Sequence, residues 1–333
     1  MKGRTEDKYA AEKKIQQKIS NMPNYITKYY YSLNEKTHMT KTRYINNVIR
    51  FLNYINSSRD VTIEELNQIE SFDIQKYIMD IQFLDDGREL QAEGKALIYS
   101  SLNSFFTFLR RQRLIDNNPF DDGIERPKSK ENDITFLEPD EWAIVKNNIM
   151  KGVGSDRAKA KQKKWMYRDL LLFQIPIITG VRITALTEIS FDDINFEEQT
   201  IEVIDKAREK TLYLDDGTFG LLLVWIENRK ELMKGYHDNG YLFISNQRKK
   251  MTIMSAERIV EKYTYNINKH ITPHKLRSTC GTNMYRATRD IYLVAEVLGH
   301  TSTATTKKYT KVGLQDRKDA SKLIAQKMNS KYN

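Results

Sequence analysis

A single cysteine, Cys280, stands among 333 residues, so no disulfide can close within the chain and no zinc site built on several thiolates is available. Such a sequence fits a reducing compartment. The first residues, Met1-Lys2-Gly3-Arg4-Thr5-Glu6, lack the apolar stretch of a secretory signal, and the longest uncharged apolar run, Leu170 to Val181, is too short to cross a bilayer. There is no internal repeat and no low-complexity tract. No carboxylate cluster or Cys/His set is spaced for a metal: His270 and His274 are four apart, but Pro273 lies between them and no further ligands accompany them. The expectation is a cytoplasmic protein with no membrane span, no metal and no cofactor.

What the chain has in excess is positive charge. Its 54 Lys and Arg outnumber 44 Asp and Glu, a formal net charge of +10. With 40% apolar and 11% aromatic residues the sequence is too apolar to be a disordered basic tail. The charge therefore sits on a folded protein, whose natural partner is a polyanion. The length suits two domains, each able to bury its own core.

Residues 1–20 form a basic N-terminal segment, and a helical domain spans about 21–115. In Lys41–Ile55 apolar residues recur at Tyr44, Ile45, Val48, Ile49, Leu52 and Ile55. In Lys95–Arg113 they recur at Ile98, Leu102, Phe105, Phe106 and Leu109, again one stripe of a 3.6-residue period. The opposite faces carry Lys41, Arg43, Arg50, Lys95, Arg110, Arg111 and Arg113, which suit either contacts to a nucleic-acid backbone or solvated helix surface. Residues 116–133, rich in turn formers and charge, have the character of a linker. A second domain follows over 134–333. Within it, Lys151–Arg168 is expected to be a basic loop, touching phosphate or simply solvated. Leu170–Ile175 should be a buried helix ending near Pro176. Ile201–Ile204 and Thr211–Leu214 pattern as a β-hairpin. The expected fold is mainly α in two domains, the second mixed, mostly helical, with a small antiparallel sheet.

Four segments could carry chemistry. Thr272-Pro273-His274-Lys275-Leu276-Arg277 opens a helix, with Thr272 suited to the N-cap and Pro273 to the first turn. There His274 and Arg277 lie roughly 60° apart on one face, while Leu276, Cys280 and Met284 form another stripe. Thr179-Gly180-Val181-Arg182 follows the buried helix at a glycine-marked turn, and Leu298-Gly299-His300 ends the periodic segment Ile291–Leu298 at another. Tyr309 comes nine residues after His300. Taken singly, each segment suits a structural role better than a chemical one.

Together, in order and spacing, they resemble the catalytic signature of the tyrosine recombinases, the phage and transposon integrase family. The resemblance covers nearly the whole chain, with 21–115 similar to the family's core-binding domain and 134–320 to its catalytic domain. It implies that Arg182 and Arg277 hold a scissile phosphate, that His274 takes part in proton transfer, that His300 hydrogen-bonds the phosphate, and that Tyr309 is the nucleophile. The family's hairpin lysine, which protonates the leaving 5′-oxygen, falls best on Lys206, with Lys210 the runner-up. Departures lie at Ala185, where many relatives have Glu, at Ser278, where a histidine is common, and at Asp205 and Ala207, where the hairpin turn carries glycines.

The implied reaction forms a 3′-phosphotyrosyl link on double-stranded DNA, with four protomers on two sites exchanging strands through a Holliday junction. Physically, a Tyr hydroxyl of pKa about 10 needs a base or nearby cations to become a nucleophile, and paired guanidinium donors suit the charge growing on the phosphate oxygens. Two rivals remain at this stage: a type IB topoisomerase with a similar constellation, and a non-catalytic DNA-binding protein on the same scaffold. The amphipathic segment Leu314–Met328 would dock on a neighbouring protomer, as in relatives, or on its own domain. Accessory DNA-bending proteins are compatible partners, and the short N-terminal segment leaves no room for a separate arm-site domain.

Overall fold

The structure is a computed structural model that describes residues 13, 15–56, 61–83, 87, 89–128, 134–205, 208–300, 306–310 and 321–322. The chain divides into two compact units, Met1–Asn132 and Asp133–Asn333.

In the first unit a helical turn over 15–19 precedes α1 (Asn24–Ser32), α2 (His38–Ile55), α3 (Ile63–Asn67), α4 (Ser71–Asp80) and α5 (Ala92–Arg111). Helix α2 starts where the Thr37 hydroxyl accepts the Thr40 amide, a satisfied N-cap. Its stripe Ile45, Val48, Ile49 and Leu52 meets Ile98, Leu102, Phe105, Phe106 and Leu109 of α5 in one buried cluster. Each such side chain contributes about 1.5–3 kcal/mol by leaving water. Asn47 crosses from α2 to donate to the Ser101 hydroxyl of α5 at 3.0 Å. Ile15 and Ile19, from the segment read as basic, are buried here too, as are Phe120 and Ile124, which lie within the stretch read as a linker.

The second unit comprises α6 (Pro139–Lys151), α7 (Asp156–Lys163), α8 (Met166–Thr179), α9 (Ile183–Leu186), strands β1 (Ile194–Asn195), β2 (Thr200–Asp205) and β3 (Arg208–Tyr213), α10 (Asp216–Met233), α11 (Ile253–Tyr263), α12 (Pro273–Thr288) and α13 (Ile291–Val297). A 3-10 turn follows at Lys307–Thr310. Helix α8 is the hub, with α10 and α12 both packed on it. It is apolar nearly all round. Leu172 and Ile175 join Leu222 and Trp225 of α10 in one cluster, and Phe173 joins Tyr263 of α11 and Leu276 of α12 in another. The strands form one antiparallel sheet in the order β1-β2-β3, with Val203 opposite Lys210 and Asp205 opposite Arg208. Along β2, Ile201, Val203 and Asp205 are buried while Glu202 and Ile204 are exposed, the two-residue alternation of a half-buried strand.

Two expectations need correction. The basic stretch Lys151–Arg168 is not a loop: α7 forms within it, its first turn capped by Ser155, whose hydroxyl accepts the Ala158 amide. No α7 side chain is buried, so the helix carries no apolar period, and it rests on helix-forming Ala, Lys and Gln. Nor does the buried helix stop at Pro176. Helix α8 runs a further turn to Thr179, because proline forfeits only its own bond to the Leu172 carbonyl. The last turn is held by the Thr179 hydroxyl on Ile175 O (2.8 Å) and the Gly180 amide on Pro176 O (3.0 Å). Among the described residues no helix is long and apolar enough to cross a membrane.

A buried ion pair pins the start of α8. Arg168 donates from Nε and Nη2 to Asp169 Oδ1 (2.8 and 2.6 Å) and from Nη1 to Ile244 O (2.9 Å). The Tyr263 hydroxyl donates to Asp169 Oδ2 at 2.9 Å, and the Trp165 ring lies under the guanidinium. Removing one partner of such a pair strands a buried charge. Asp169→Ala is expected to destabilise the second unit by about 3–5 kcal/mol in urea unfolding, whereas Asp156→Ala at the exposed Lys159 pair should cost no more than about 1 kcal/mol. Equal losses would contradict this reading.

Candidate active site

Helix α8 ends at Gly180, whose φ of +65° lies in the left-handed region. A Cβ there would also stand 2.5 Å from Leu298 Cδ2, so glycine is required twice over. The turn delivers Arg182 to the N-cap of α9, where its Nη1 donates to Asp205 Oδ2 at 2.6 Å. Asp205 arrives from the end of β2, on the face that also buries Ile201 and Val203.

Arg277, one turn into α12, is 1% exposed. Its Nη1 donates to the Gly180 carbonyl and its Nη2 to the Leu298 carbonyl, and Nη1 stands 3.6 Å from Asp205 Oδ2. Helix α12 is thus a central helix, not a surface one. Thr272 stands at its N-cap without a capping side-chain hydrogen bond, and Pro273 occupies its first turn. His274 is exposed, yet it and Arg277 line one cavity, as their shared face required.

Gly299, with φ +58°, turns the chain after α13 and lets the His300 amide reach back to Ala295 O at 2.8 Å. The His300 ring nitrogen Nδ1 shares a hydrogen bond with the Thr306 hydroxyl at 2.9 Å. The rings of His300 and Tyr309 stack, 6.2 Å apart and tilted by 14°. Tyr309 is 4% exposed and lies against Gly281 of α12, where a Cβ would press within 2.9 Å of the ring.

The result is a cavity of about 520 Å³ with Arg182, Asp205, Lys210, His274, Arg277 and His300 in its wall. Crowded cations shape its electrostatics. Burial, and then the Arg182 charge, hold the Arg277 guanidinium down to about 10. Lys210 donates to Thr179 O at 3.0 Å, and burial with the Arg277 charge lowers its amine to about 8. Burial raises the Tyr309 phenol, while a Ser278 contact and the charges of Arg277 and Arg182 pull it back. Burial pushes the Cys280 thiol up to about 11, so it packs as a neutral group against Ile178 O. Such a site suits an anion whose oxygens can take several fixed donors at once. Among the described residues no three His, Cys, Asp or Glu side chains gather as a metal site.

Of the residues singled out in the sequence, Arg182, His274, Arg277 and His300 meet around this cavity and Tyr309 stacks beside it. Lys206 and Ala207 lie outside the described residues, as does the tail 314–328 except 321 and 322, which are helical. In the first unit Arg43, Arg110, Arg111 and Arg113 are exposed and Arg50 is half-buried. Lys41 sits over the Tyr30 ring at 5.3 Å, and Lys95 donates to Met79 O at 3.2 Å. Sequence reasoning missed Asp205 as a member of the site. The signal was there: an acid at the third inward position of β2, after Ile201 and Val203, must bury its charge against a cation.

Residues 156–315 match the family model described as the phage integrase family, a span that includes Arg182, His274, Arg277, His300 and Tyr309. The chain is similar to the tyrosine recombinase XerC of Caldanaerobacter subterraneus subsp. tengcongensis, 27% identical over 259 residues covering 76% of this chain and 69% of that protein. It is similar also to a tyrosine recombinase of Agathobacter rectalis, 26% identical over 317 residues, 90% of this chain and 96% of that one. Among solved structures the fold matches the XerH site-specific recombinase bound to palindromic difH substrate (TM-score 0.65, 20% identity, 88% of this chain and 82% of that one). It matches the Tn1549 transposon integrase in complex with a circular intermediate DNA as well (TM-score 0.66, 17% identity, 90% and 99%).

The lowered amine has a consequence for stability. Between about 8 and 10.5 the folded Lys210 has released a proton that the unfolded chain still binds, so its burial penalty fades and stability rises with pH across that window. Lys210→Met is expected to flatten that rise in urea unfolding measured from pH 7 to about 10.5. Superimposable pH profiles for the two proteins would contradict the lowered value.

Proposed function

We propose that this chain is a tyrosine recombinase of the phage integrase family, an enzyme of site-specific DNA recombination, in which Arg182 and Arg277 grip the scissile phosphate while Tyr309 attacks it. The observation that carries the assignment is convergence: two guanidiniums from distant segments face one anionic oxygen, Asp205 Oδ2, at 2.6 and 3.6 Å. A non-bridging phosphate oxygen is the external ligand that such a pair takes. Arg277, anchored to two main-chain carbonyls, needs no reorganisation as charge builds in the transition state.

The remaining roles follow from position. Tyr309 must lose its proton to attack, and the Arg277 and Arg182 charges favour the phenolate. His274, exposed at the cavity wall, takes part in moving that proton, and His300 hydrogen-bonds the phosphate. A new bond joins phosphorus to the tyrosine oxygen, the bond to the 5′-oxygen breaks, and that oxygen takes a proton from the hairpin lysine. Lys206 is the first assignment for this acid, and Lys210, with its amine lowered to about 8, the second. One phosphodiester is exchanged for another, so the reverse attack by a 5′-hydroxyl reseals DNA without ATP.

Double-stranded DNA is the proposed partner, which the net charge of +10 supports. The exposed Arg43, Arg110 and Arg111, with Lys41, Arg50 and Lys95, are assigned to its backbone. Four protomers on two sites would exchange strands through a Holliday junction, and accessory DNA-bending proteins are compatible with that assembly. The cytoplasm is the proposed compartment, on the strength of one buried, unpaired cysteine.

A suicide DNA substrate, whose cleaved fragment diffuses away, tests the nucleophile. The wild type is expected to accumulate a covalent protein–DNA adduct, and Tyr309→Phe to bind the same DNA with similar affinity and trap none. An undiminished adduct in the Phe variant would overturn the assignment.

A further inference from the structure

We propose that Asp205 is an internal phosphate mimic: in the DNA-free enzyme its carboxylate occupies the anion position between Arg182 and Arg277, and it must withdraw when the scissile phosphate enters. This rests on the reading of the cavity as the phosphate site. The first argument is place. Asp205 lines the cavity, and its Oδ2 lies within reach of both Nη1 atoms, where an oxygen of an incoming anion would have to lie. The two cannot share that spot, and two negative charges a few ångström apart repel strongly in a buried site.

The second argument is how incompletely Asp205 is bonded. Two other Arg–Asp pairs among the described residues, one fully buried and one with its carboxylate exposed, use both carboxylate oxygens. Arg229 donates from Nη1 and Nη2 to Oδ2 and Oδ1 of Asp238, each at 2.6 Å. At Asp169, Arg168 takes Oδ1 and the Tyr263 hydroxyl takes Oδ2. Asp205, 6% exposed, leaves Oδ1 buried with no hydrogen-bond partner among the described residues. A buried carboxylate held by one oxygen is costly as a permanent strut and serviceable as a removable one.

The third argument is asymmetry between the arginines. Arg277 has two carbonyl anchors besides Asp205. Arg182, by contrast, has its one hydrogen bond among the described residues to Asp205, so this carboxylate holds it ready in the absence of DNA. Asp205 ends β2 and immediately precedes Lys206. Withdrawing it requires movement at a strand end, not in the core, and couples phosphate entry to the residue assigned to protonate the leaving oxygen.

Titration of the full chain with inorganic phosphate, read by calorimetry and thermal shift, tests the mimic. Asp205→Asn keeps the size and removes the charge. It is expected to be less stable than wild type without phosphate, to bind phosphate about tenfold or more tightly than wild type, as when a competitor filling a site nine-tenths of the time is removed, and to regain stability on binding. Unchanged or weaker phosphate binding in Asp205→Asn would overturn the mimic and make Asp205 a structural or positioning group. Arg182→Gln separates the two readings. Loss of phosphate binding there, without a gain in Asp205→Asn, overturns the mimic alone. Equal binding by wild type and both variants overturns the phosphate site itself, and the mimic with it.

Discussion

The second unit is organised around a guanidinium that should not be buried cheaply. Arg277 sits in the interior at 1% exposure, and its charge is tolerated because the carbonyls of Gly180 and Leu298 accept its protons and Asp205 lies within ion-pair distance. Those carbonyls belong to the two glycine-marked turns. Gly180 is two residues before Arg182, and Leu298 two before His300, so one side chain sets where both emerge. His274 lies three residues earlier on the same helix, and Gly281, four residues later, makes the flat seat for the Tyr309 ring. Residues more than a hundred positions apart are thereby arranged about a single fork of N–H donors.

The same arrangement explains the cavity's electrostatics. Arg182, Lys210 and Arg277 crowd together with limited water, which depresses the last two and leaves an unsatisfied demand for negative charge. Without DNA, Asp205 meets part of that demand. The position three residues after Arg182, where many relatives carry Glu, is the buried Ala185, so the carboxylate facing Arg182 comes from the hairpin instead. The acid beside the first arginine thus stands at the end of β2, not in the short helix that Arg182 caps.

Much of this was legible beforehand, for reasons that differ by element. The stripes of α2 and α5 were visible because each helix buries one face, and the turns at Gly180 and Gly299 because a left-handed residue favours glycine. The four signature segments could be found by spacing, although nothing in the spacing revealed that Arg277 would be buried while His274, three residues away, stays exposed. Helix α7 was hidden because it buries no side chain and so imposes no period. The turn beyond Pro176 was hidden because tertiary packing overrides proline's local cost. Asp205 was hidden because the family resemblance sets glycine at its position, and only the inward alternation of β2 marks it as buried.

If the Arg277 fork joins the two turns, they must loosen together when it is removed. Hydrogen exchange on Arg277→Met, read at the backbone amides of 180–182 and 298–300 with α10 as the internal reference, is the direct measurement. Protection is expected to fall at both turns by a similar factor while α10 keeps its own; protection retained at either turn would show that the buried guanidinium is not what holds the site together.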